Sequence, residues 1–269
     1  MKTLMENEGA VAPEGFTKKD VILEAPTLWE NGFDIMFSRI LKEISLGLYA
    51  NHIPSTYRKD IIMLYSDLTK LSDTYYEHFT QYLLENNFLS RPTYINMPKS
   101  IDYIQNKDYV KGTNILGKKR PINSVEYSNI YRLIETNISG MQLLEGFIQT
   151  AKDEEIKKYF TKGRELSKKV IREYSNIALE DNIQPPATPG GTVTNSTIAP
   201  FSEKLMMYCN YLLSGLSLGA GGFVAGFSLR NDLQIKNAVF AKDIFEYQRE
   251  GIMLMISKGW YEEPPKMDL

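Results

Sequence analysis

The sequence of 269 residues predicts an all-α fold, in which half of a helical bundle precedes a complete four-helix bundle of the same kind. Apolar residues recur at helical spacing through most of the chain, which is typical of amphipathic helices. The chain also matches itself: Glu6 corresponds to Glu180 at an offset of 174 residues, and Asp60 corresponds to Asp232 at an offset of 172. A spacing held over such lengths indicates a duplicated structural unit.

The first copy of the repeat predicts a helical hairpin. The chain opens with residues that correspond to the last turn of a helix in the second copy. A loop over 9–26 follows, and helices are predicted over about 27–51 and 56–87. The hairpin that would come before this loop has no counterpart in the sequence. We therefore expect residues 1–110 to form an N-terminal half-bundle, left by a truncated repeat or continued by residues encoded upstream of Met1.

The second copy predicts a full bundle over 124–269, after a linker over 111–123. Its four helices are expected at about 124–151, 153–182, 201–229 and 232–258. Asp153 is suited to cap the second helix, and Gly259 is suited to end the fourth. The segment 184–200 is rich in Pro, Gly, Ser and Thr, which favour a loop over a helix.

That long loop predicts the topology of the bundle. A helix of about 28 residues is roughly 42 Å long, and about seventeen extended residues reach roughly 55 Å. The loop can therefore run the whole length of the bundle and join two hairpins by a crossover. This is the connection found in ferritin-like four-helix bundles.

Composition and charge exclude several classes of protein. A formal net charge of −2 gives no reason to expect nucleic acid as a partner. The single cysteine, Cys209, excludes an intrachain disulfide, and the chain opens without an apolar leader, so a cytoplasmic protein is expected. The stretch 205–229 carries no charge and has the length of a membrane span. Its repeat equivalent, 29–53, contains Glu30 and Arg39, so a membrane protein is not expected.

Several segments together resemble the family called domain of unknown function 3231. They are Gly15-Phe16-Thr17 with Asp20-Val21, the linker residues 117–121, the run from Pro200 to Met207, and Lys258-Gly259-Trp260 with Pro264-Pro265. The resemblance covers nearly the whole chain and implies tandem ferritin-like bundles of spore-forming bacteria, related to spore-coat proteins. It implies no established activity. The chain departs from the family pattern by lacking the first hairpin.

A ferritin-like fold raises the question of a two-metal site. Such a site needs inward glutamates on two helices and a Glu-x-x-His pair on each of the other two. On the first helix of the complete bundle, Glu145 falls within the apolar stripe formed by Ile134, Ile138, Met141 and Ile148. One inward carboxylate does not make a two-metal site. Glu145 is therefore interpreted as a core acid bonded to a tyrosine or to Gln248.

The two histidines complete the set of metal-ligand candidates. His78 falls opposite the apolar stripe of its helix, so a surface position is favoured. His52 lies just before Pro54 in a tight connection, where the sequence assembles no further ligands. Glu145, His52 and His78 are thus the candidate metal ligands, and no catalytic residue or cofactor is predicted. Iron or manganese is the metal that a ferritin-like site would hold.

A lone hairpin cannot bury the apolar stripes of both its helices. Pairing with the same hairpin of a second chain would complete a bundle across a two-fold axis. We therefore expect a homodimer. Its predicted seam comprises Ile40, Ile44, Leu48, Leu68, Tyr76, Phe79 and Leu83.

Three function classes follow from the sequence. The favoured one is a non-catalytic helical assembly protein or spore-coat-like protein, associated with the spore. The second is a ferritin-like metal-dependent oxidoreductase that uses Glu145. The third is a binder of small apolar ligands with a cavity beside the glycine-rich helix, in which Gly215, Gly219, Gly222 and Gly226 recur.

Overall fold

The structure is a computed structural model that describes residues 2–30, 32–111, 119–187 and 192–266. Over these residues the chain forms seven α-helices and no strand, which confirms the predicted all-α class. The helices are α1 (Lys2–Asn7), α2 (Phe33–His52), α3 (Lys59–Glu85), α4 (Ser124–Thr150), α5 (Glu154–Glu180), α6 (Glu203–Phe227) and α7 (Asn231–Ser257).

Helices α4 to α7 pack around a shared core. Helix α4 contacts α5 and α6, and α7 contacts the same two helices. The connection from α5 to α6 spans the length of α4. At one end Ile122 N donates to Asp181 Oδ2 over 2.7 Å, and at the other Asp153 N donates to Glu203 Oε1 over 2.9 Å. The connection that leaves α5 therefore crosses the bundle before α6 begins.

The division of the chain at a linker over 111–123 stays a prediction. Residues 112–118 of this linker, including Lys118 of its basic run, lie outside the described residues. The hairpin of α2 and α3 is not isolated, because α2 packs against α4 and α6. Ile40 of α2, Phe147 of α4 and Met206 of α6 belong to one apolar cluster.

The end of α3 matches the end of α7. Both helices are 27 residues long. Each is followed by a residue in the left-handed region, Asn87 with φ 57° and Gly259 with φ 67°. Phe88 N then donates to Leu83 O, and Trp260 N donates to Met255 O, each over 2.8 Å. The two helices therefore end in the same capping motif.

Residues 20–30 and 192–202, which belong to the two long loops, run antiparallel along each other. Ser202 N donates to Asp20 O, and Thr194 N donates to Leu28 O, each over 2.9 Å. Thr194 lies 174 positions after Asp20, and Ser202 lies 174 positions after Leu28. The offset of 174 positions therefore relates the two residue pairs to each other, although Thr194 and Ser202 provide the N–H donor in both hydrogen bonds.

Helix α2 begins six residues later than the predicted start near residue 27. Glu30 N donates to Thr192 O over 3.0 Å, which keeps this backbone extended. The indole of Trp29 is buried, and its Nε1 donates to Gln142 O over 3.0 Å. Tertiary contacts of the loop thus override the helical pattern here.

Among the described residues, every helix is too short or too polar to span a bilayer. Helix α6, which carries no charge after Lys204, instead buries Met206, Asn210, Leu213 and Val224.

Candidate functional site

The centre of the C-terminal bundle is a network of two tyrosines and an asparagine. The rings of Tyr159 on α5 and Tyr247 on α7 stack with centroids 4.4 Å apart and planes 10° apart. Asn210 Nδ2 donates to both hydroxyls, over 3.2 Å to Tyr159 and 2.8 Å to Tyr247. Burial raises the pKa of each phenol above its ordinary value. This network holds the middle of the bundle in a neutral, hydrogen-bonded state.

Each tyrosine hydroxyl lies against a glycine of the opposite helix. A Cβ added to Gly163 would lie 2.1 Å from Tyr247 Oη, and one added to Gly251 would lie 2.2 Å from Tyr159 Oη. The two glycines therefore provide the room for the stack. Beside it lies a cavity of about 40 Å³, whose lining includes Asn137 and Ser214 and, among the described residues, no carboxylate.

We expect Gly163→Ala to lower the free energy of unfolding by about 1–3 kcal/mol, because the new methyl group overpacks the buried stack. The measurement is urea unfolding followed by circular dichroism. Gly140→Ala on α4 is the matched control, since a Cβ there has its nearest contact at 3.8 Å, to Ser167 Oγ. That variant should be neutral or stabilised by up to about 1 kcal/mol through helix propensity. Equal destabilisation by both substitutions would contradict the packing described for Gly163.

Glu145 does not face the core, which corrects the sequence-based assignment. Its carboxylate is half exposed and accepts from Arg164 Nη1 over 2.7 Å. The expected tyrosine or Gln248 partner is not the one observed. Helix α4 packs against α5, α6 and α2, so several of its faces are buried. The apolar stripe identified in the sequence lies along one edge of the buried surface of α4. Glu145 lies just beyond that edge.

The histidines lie on the N-terminal hairpin. His52 ends α2 and stacks on Tyr65, with ring centroids 5.2 Å apart. His78 is exposed on α3, as expected, with its ring edge-on to Tyr75 at 6.2 Å. Within the described residues, no group of three or more His, Cys, Asp and Glu side chains is placed to hold a metal ion. Glu145, His52 and His78 are therefore not brought together.

Cys209 is buried in α6. Burial raises the pKa of its thiol to about 12. Since the thiolate is the nucleophilic form, Cys209 has the properties of a small apolar core residue.

A buried ion pair joins the N-terminal hairpin to the bundle. Arg39 Nη1 on α2 donates to Glu135 Oε2 on α4 over 3.1 Å, and both side chains are 8% exposed. Arg39 also donates to Tyr76 Oη over 2.8 Å and to Thr80 Oγ1 over 3.0 Å. Burial alone would lower the pKa of Arg39. The interactions with Glu135 and Tyr76 have a larger effect in the opposite direction, so the pKa is raised overall.

Sequence reasoning did not find this ion pair. In the sequence, Arg39 is notable only as a charged residue that argues against a membrane-spanning segment. Glu135 is separated from Arg39 by 96 positions, so nothing local in the sequence relates the two. The available signal was a charged residue in a largely apolar stretch of helix, with Met36, Phe37 and Ile40 close to Arg39 in sequence.

The start of α3 repeats the ion pairs found at the start of α7. Arg58 is bidentate to Asp60 over 3.1 and 2.8 Å, and Arg230 is bidentate to Asp232 over the same two distances. The difference is in burial. The side chain of Arg58 is 53% exposed, and that of Arg230 is 2% exposed.

The linker and the start of α4 account for that difference. Arg120 is bidentate to Glu126, with distances of 2.8 and 2.7 Å. Glu126 also accepts from the backbone N–H of Arg230 over 3.0 Å. Burial would raise the pKa of Glu126, but Arg120 and the backbone donors lower it overall. At the start of α3, Arg58 instead pairs with Glu8, over 3.0 Å, and stays exposed.

The outer face of α3 carries exposed apolar side chains. Leu71 is 52% exposed, Tyr75 is 43% exposed and Tyr82 is 47% exposed. On α7 the residue 172 positions after Tyr75 is Tyr247, which is only 4% exposed. Helix α5 packs on this side of α7. The corresponding face of α3 is exposed.

The predicted dimer seam needs a correction. Ile40, Ile44 and Leu83 are buried within the chain itself, in the cluster shared with α4 and α6. They are not available to a partner, because α2 packs directly on the bundle. Leu48 is 47% exposed, and Leu68, Tyr76 and Phe79 are half-buried.

Comparison with known proteins gives a family and a fold. The family model described as "Protein of unknown function (DUF3231)" matches residues 1–101 and 110–268. A solved structure of a "putative spore coat protein" from Bacillus halodurans C-125 is similar at a TM-score of 0.53 and 16% sequence identity. The similarity covers 55% of this chain and 97% of that chain. No curated protein is significantly similar in sequence.

Proposed function

Because the chain belongs to the DUF3231 family of unknown function, we propose that it is a non-catalytic helical assembly protein with a spore-coat-like role. Its architecture is a complete ferritin-like bundle, α4 to α7, with the hairpin α2–α3 as half of a second one. The matching caps of α3 and α7 and the paired loops support this interpretation. The coat-protein structure of similar fold supports the role.

The observation that carries the proposal is the exposed apolar face of α3. We propose that the same face of a second copy covers it, so that the protein is a homodimer. A two-fold axis would bring Leu71, Tyr75 and Tyr82 of both copies together in a self-complementary contact. Contiguous exposed apolar patches mark interaction sites more often than they mark ordinary surface.

Helix α7, which corresponds to α3 at the offset of 172 positions, offers a contrast that favours this face. The outer side of α7 is also apolar, with Val239 and Met253 exposed. The matching residues of α3, 172 positions earlier, are Asp67 and Gln81. The side of α3 that carries Asp67 and Gln81 therefore corresponds to the outer side of α7. The apolar side of α3 corresponds to the side of α7 that α5 covers.

The test replaces two exposed residues of α3 by aspartate. Leu71→Asp with Tyr82→Asp should convert the dimer to a monomer at micromolar concentration, because two charges per copy would be buried without partners. Light scattering after gel filtration measures the mass. Helix content should stay unchanged, since both side chains are about half exposed in one chain.

The matched control is Val239→Asp with Met253→Asp on α7. It introduces the same charge at sites that are 53% and 59% exposed. This variant should remain a dimer. If the α7 variant became monomeric while the α3 variant stayed dimeric, the proposed surface would be wrong.

A spore-coat-like role predicts where the protein is found in a sporulating cell. A fluorescent fusion expressed in a spore-forming Bacillus should concentrate at the forespore surface and remain with spores after washing in high salt. The Leu71→Asp, Tyr82→Asp fusion should lose this enrichment. Uniform fluorescence of the unsubstituted fusion in both compartments would contradict the role.

A further inference from the structure

A cavity of about 310 Å³ lies between α2, α4 and α6, beside the glycine-rich helix. Its walls are mostly apolar and include Ile44 and Leu48 of α2 with Leu212, Leu216 and Phe223 of α6. This volume is at the lower end of the range of small-molecule sites, about 300–1,000 Å³, and apolar lining with few polar groups is typical of them.

Glycines keep this cavity open. Gly47, Gly215 and Gly219 line it, and a Cβ added to Gly47 or Gly219 would meet no atom within 4 Å. Each lies inside a helix, where glycine is less favourable than alanine by about 1 kcal/mol. The space therefore exists because side chains are absent at positions where local structure would favour them.

A second cavity, of about 320 Å³, adjoins the first and includes five charged side chains in its lining; it is called the polar cavity below. The two share Glu43 and Arg132, which form an ion pair. The second cavity is also lined by the buried pair of Arg39 and Glu135, and by Arg91. Three guanidinium groups face two carboxylates, so the charged lining carries a surplus of one positive charge.

We propose that the two cavities together bind an aliphatic carboxylate. The hydrocarbon chain would lie in the glycine-lined cavity, and the carboxylate would lie in the polar cavity near Arg91. The apolar walls provide contacts for the hydrocarbon chain, and the surplus positive charge selects an anionic head over a neutral one. This inference is independent of the assembly role, since neither cavity is lined by Leu71, Tyr75 or Tyr82.

The first experiment is calorimetric titration of the full chain with hexanoate, octanoate and decanoate, each below its micelle concentration. Each buried methylene contributes about 0.8 kcal/mol, so affinity should rise about fourfold per added methylene until the cavity is full. Octanol, the neutral match, should bind several-fold more weakly than octanoate. No saturable binding of decanoate at millimolar concentration would overturn the proposal.

Gly219→Leu tests where the hydrocarbon chain of the ligand lies. The leucine would fill the cavity, and octanoate affinity should fall roughly fifteenfold, the value of about two methylenes. Gly222→Leu is the matched control on the same helix, because that glycine is exposed, outside the cavity lining and free of contacts within 4 Å. Both substitutions raise helix propensity, so folding should be retained. Gly47→Leu fills the same cavity from α2 and repeats the test.

Arg91→Gln tests the charge selection. Since exposed charge pairs contribute about 0.2–1 kcal/mol, octanoate should bind about two- to fivefold more weakly and octanol should be unaffected. Equal binding of octanoate by the Gly219→Leu and Gly222→Leu variants would overturn the proposed site. Equal binding of octanoate and octanol, unchanged by Arg91→Gln, would overturn the proposed ligand class.

Discussion

Glu135→Leu is expected to lower the free energy of unfolding by about 3–5 kcal/mol, because it leaves the buried charge of Arg39 without its partner. Chemical unfolding followed by circular dichroism measures the change. Replacing both residues, Arg39→Met with Glu135→Leu, should restore most of this loss or exceed it. Well-packed apolar residues often replace a buried ion pair at no cost in stability.

The matched control is Glu145→Leu, ten residues further along α4. Glu145 also pairs with an arginine, but its side chain is 50% exposed. Exposed ion pairs contribute about 0–1 kcal/mol, so this variant should be close to the unsubstituted protein. Equal effects at Glu135 and Glu145 would contradict the buried pair between α2 and α4.

Trp29→Ala is expected to cost about 3–5 kcal/mol, the range for truncating a large buried aromatic side chain. The indole packs against Phe33 and Phe147, with ring centroids 5.3 and 5.8 Å away. It also lies over Gly146, where an added Cβ would be 2.5 Å from Trp29 Cζ2. The side chain of Trp29 thus holds the loop before α2 on α4.

A double-mutant cycle with Gly146→Ala sharpens this expectation. In the unsubstituted protein Gly146→Ala should destabilise by about 1–3 kcal/mol, because the methyl group displaces the indole. In the Trp29→Ala background the clash is gone, and the same change should stabilise by up to about 1 kcal/mol through helix propensity. Additive effects in the cycle would contradict direct contact between Trp29 and Gly146.

Helix positions could be predicted well from the sequence. Periodicity and end signals predict helices near 153–182 and 232–258, and the structure has Glu154–Glu180 and Asn231–Ser257. On α5 the apolar residues at helical spacing, which include Ile156, Phe160 and Tyr174, are buried. Helix α5 buries a single well-defined face, so the helical period alone locates that face.

Helix α4 shows where this reasoning fails. It buries residues on several sides because α2, α5 and α6 all contact it. A single stripe does not describe such a helix, and Glu145 was placed inside for that reason. Contacts between residues that are far apart in sequence, such as Trp29 with Gly146 and Arg39 with Glu135, produce no periodic pattern in the sequence. The cavity between α2 and α6 was predicted only as a location beside the glycine-rich helix.

Sedimentation equilibrium of the unsubstituted protein tests the central claim most directly. The claim is that the exposed face of α3 is covered by a second copy of the chain. At micromolar concentration the account predicts a mass of twice 30.8 kDa. A mass of 30.8 kDa at every concentration up to the high micromolar range would contradict it.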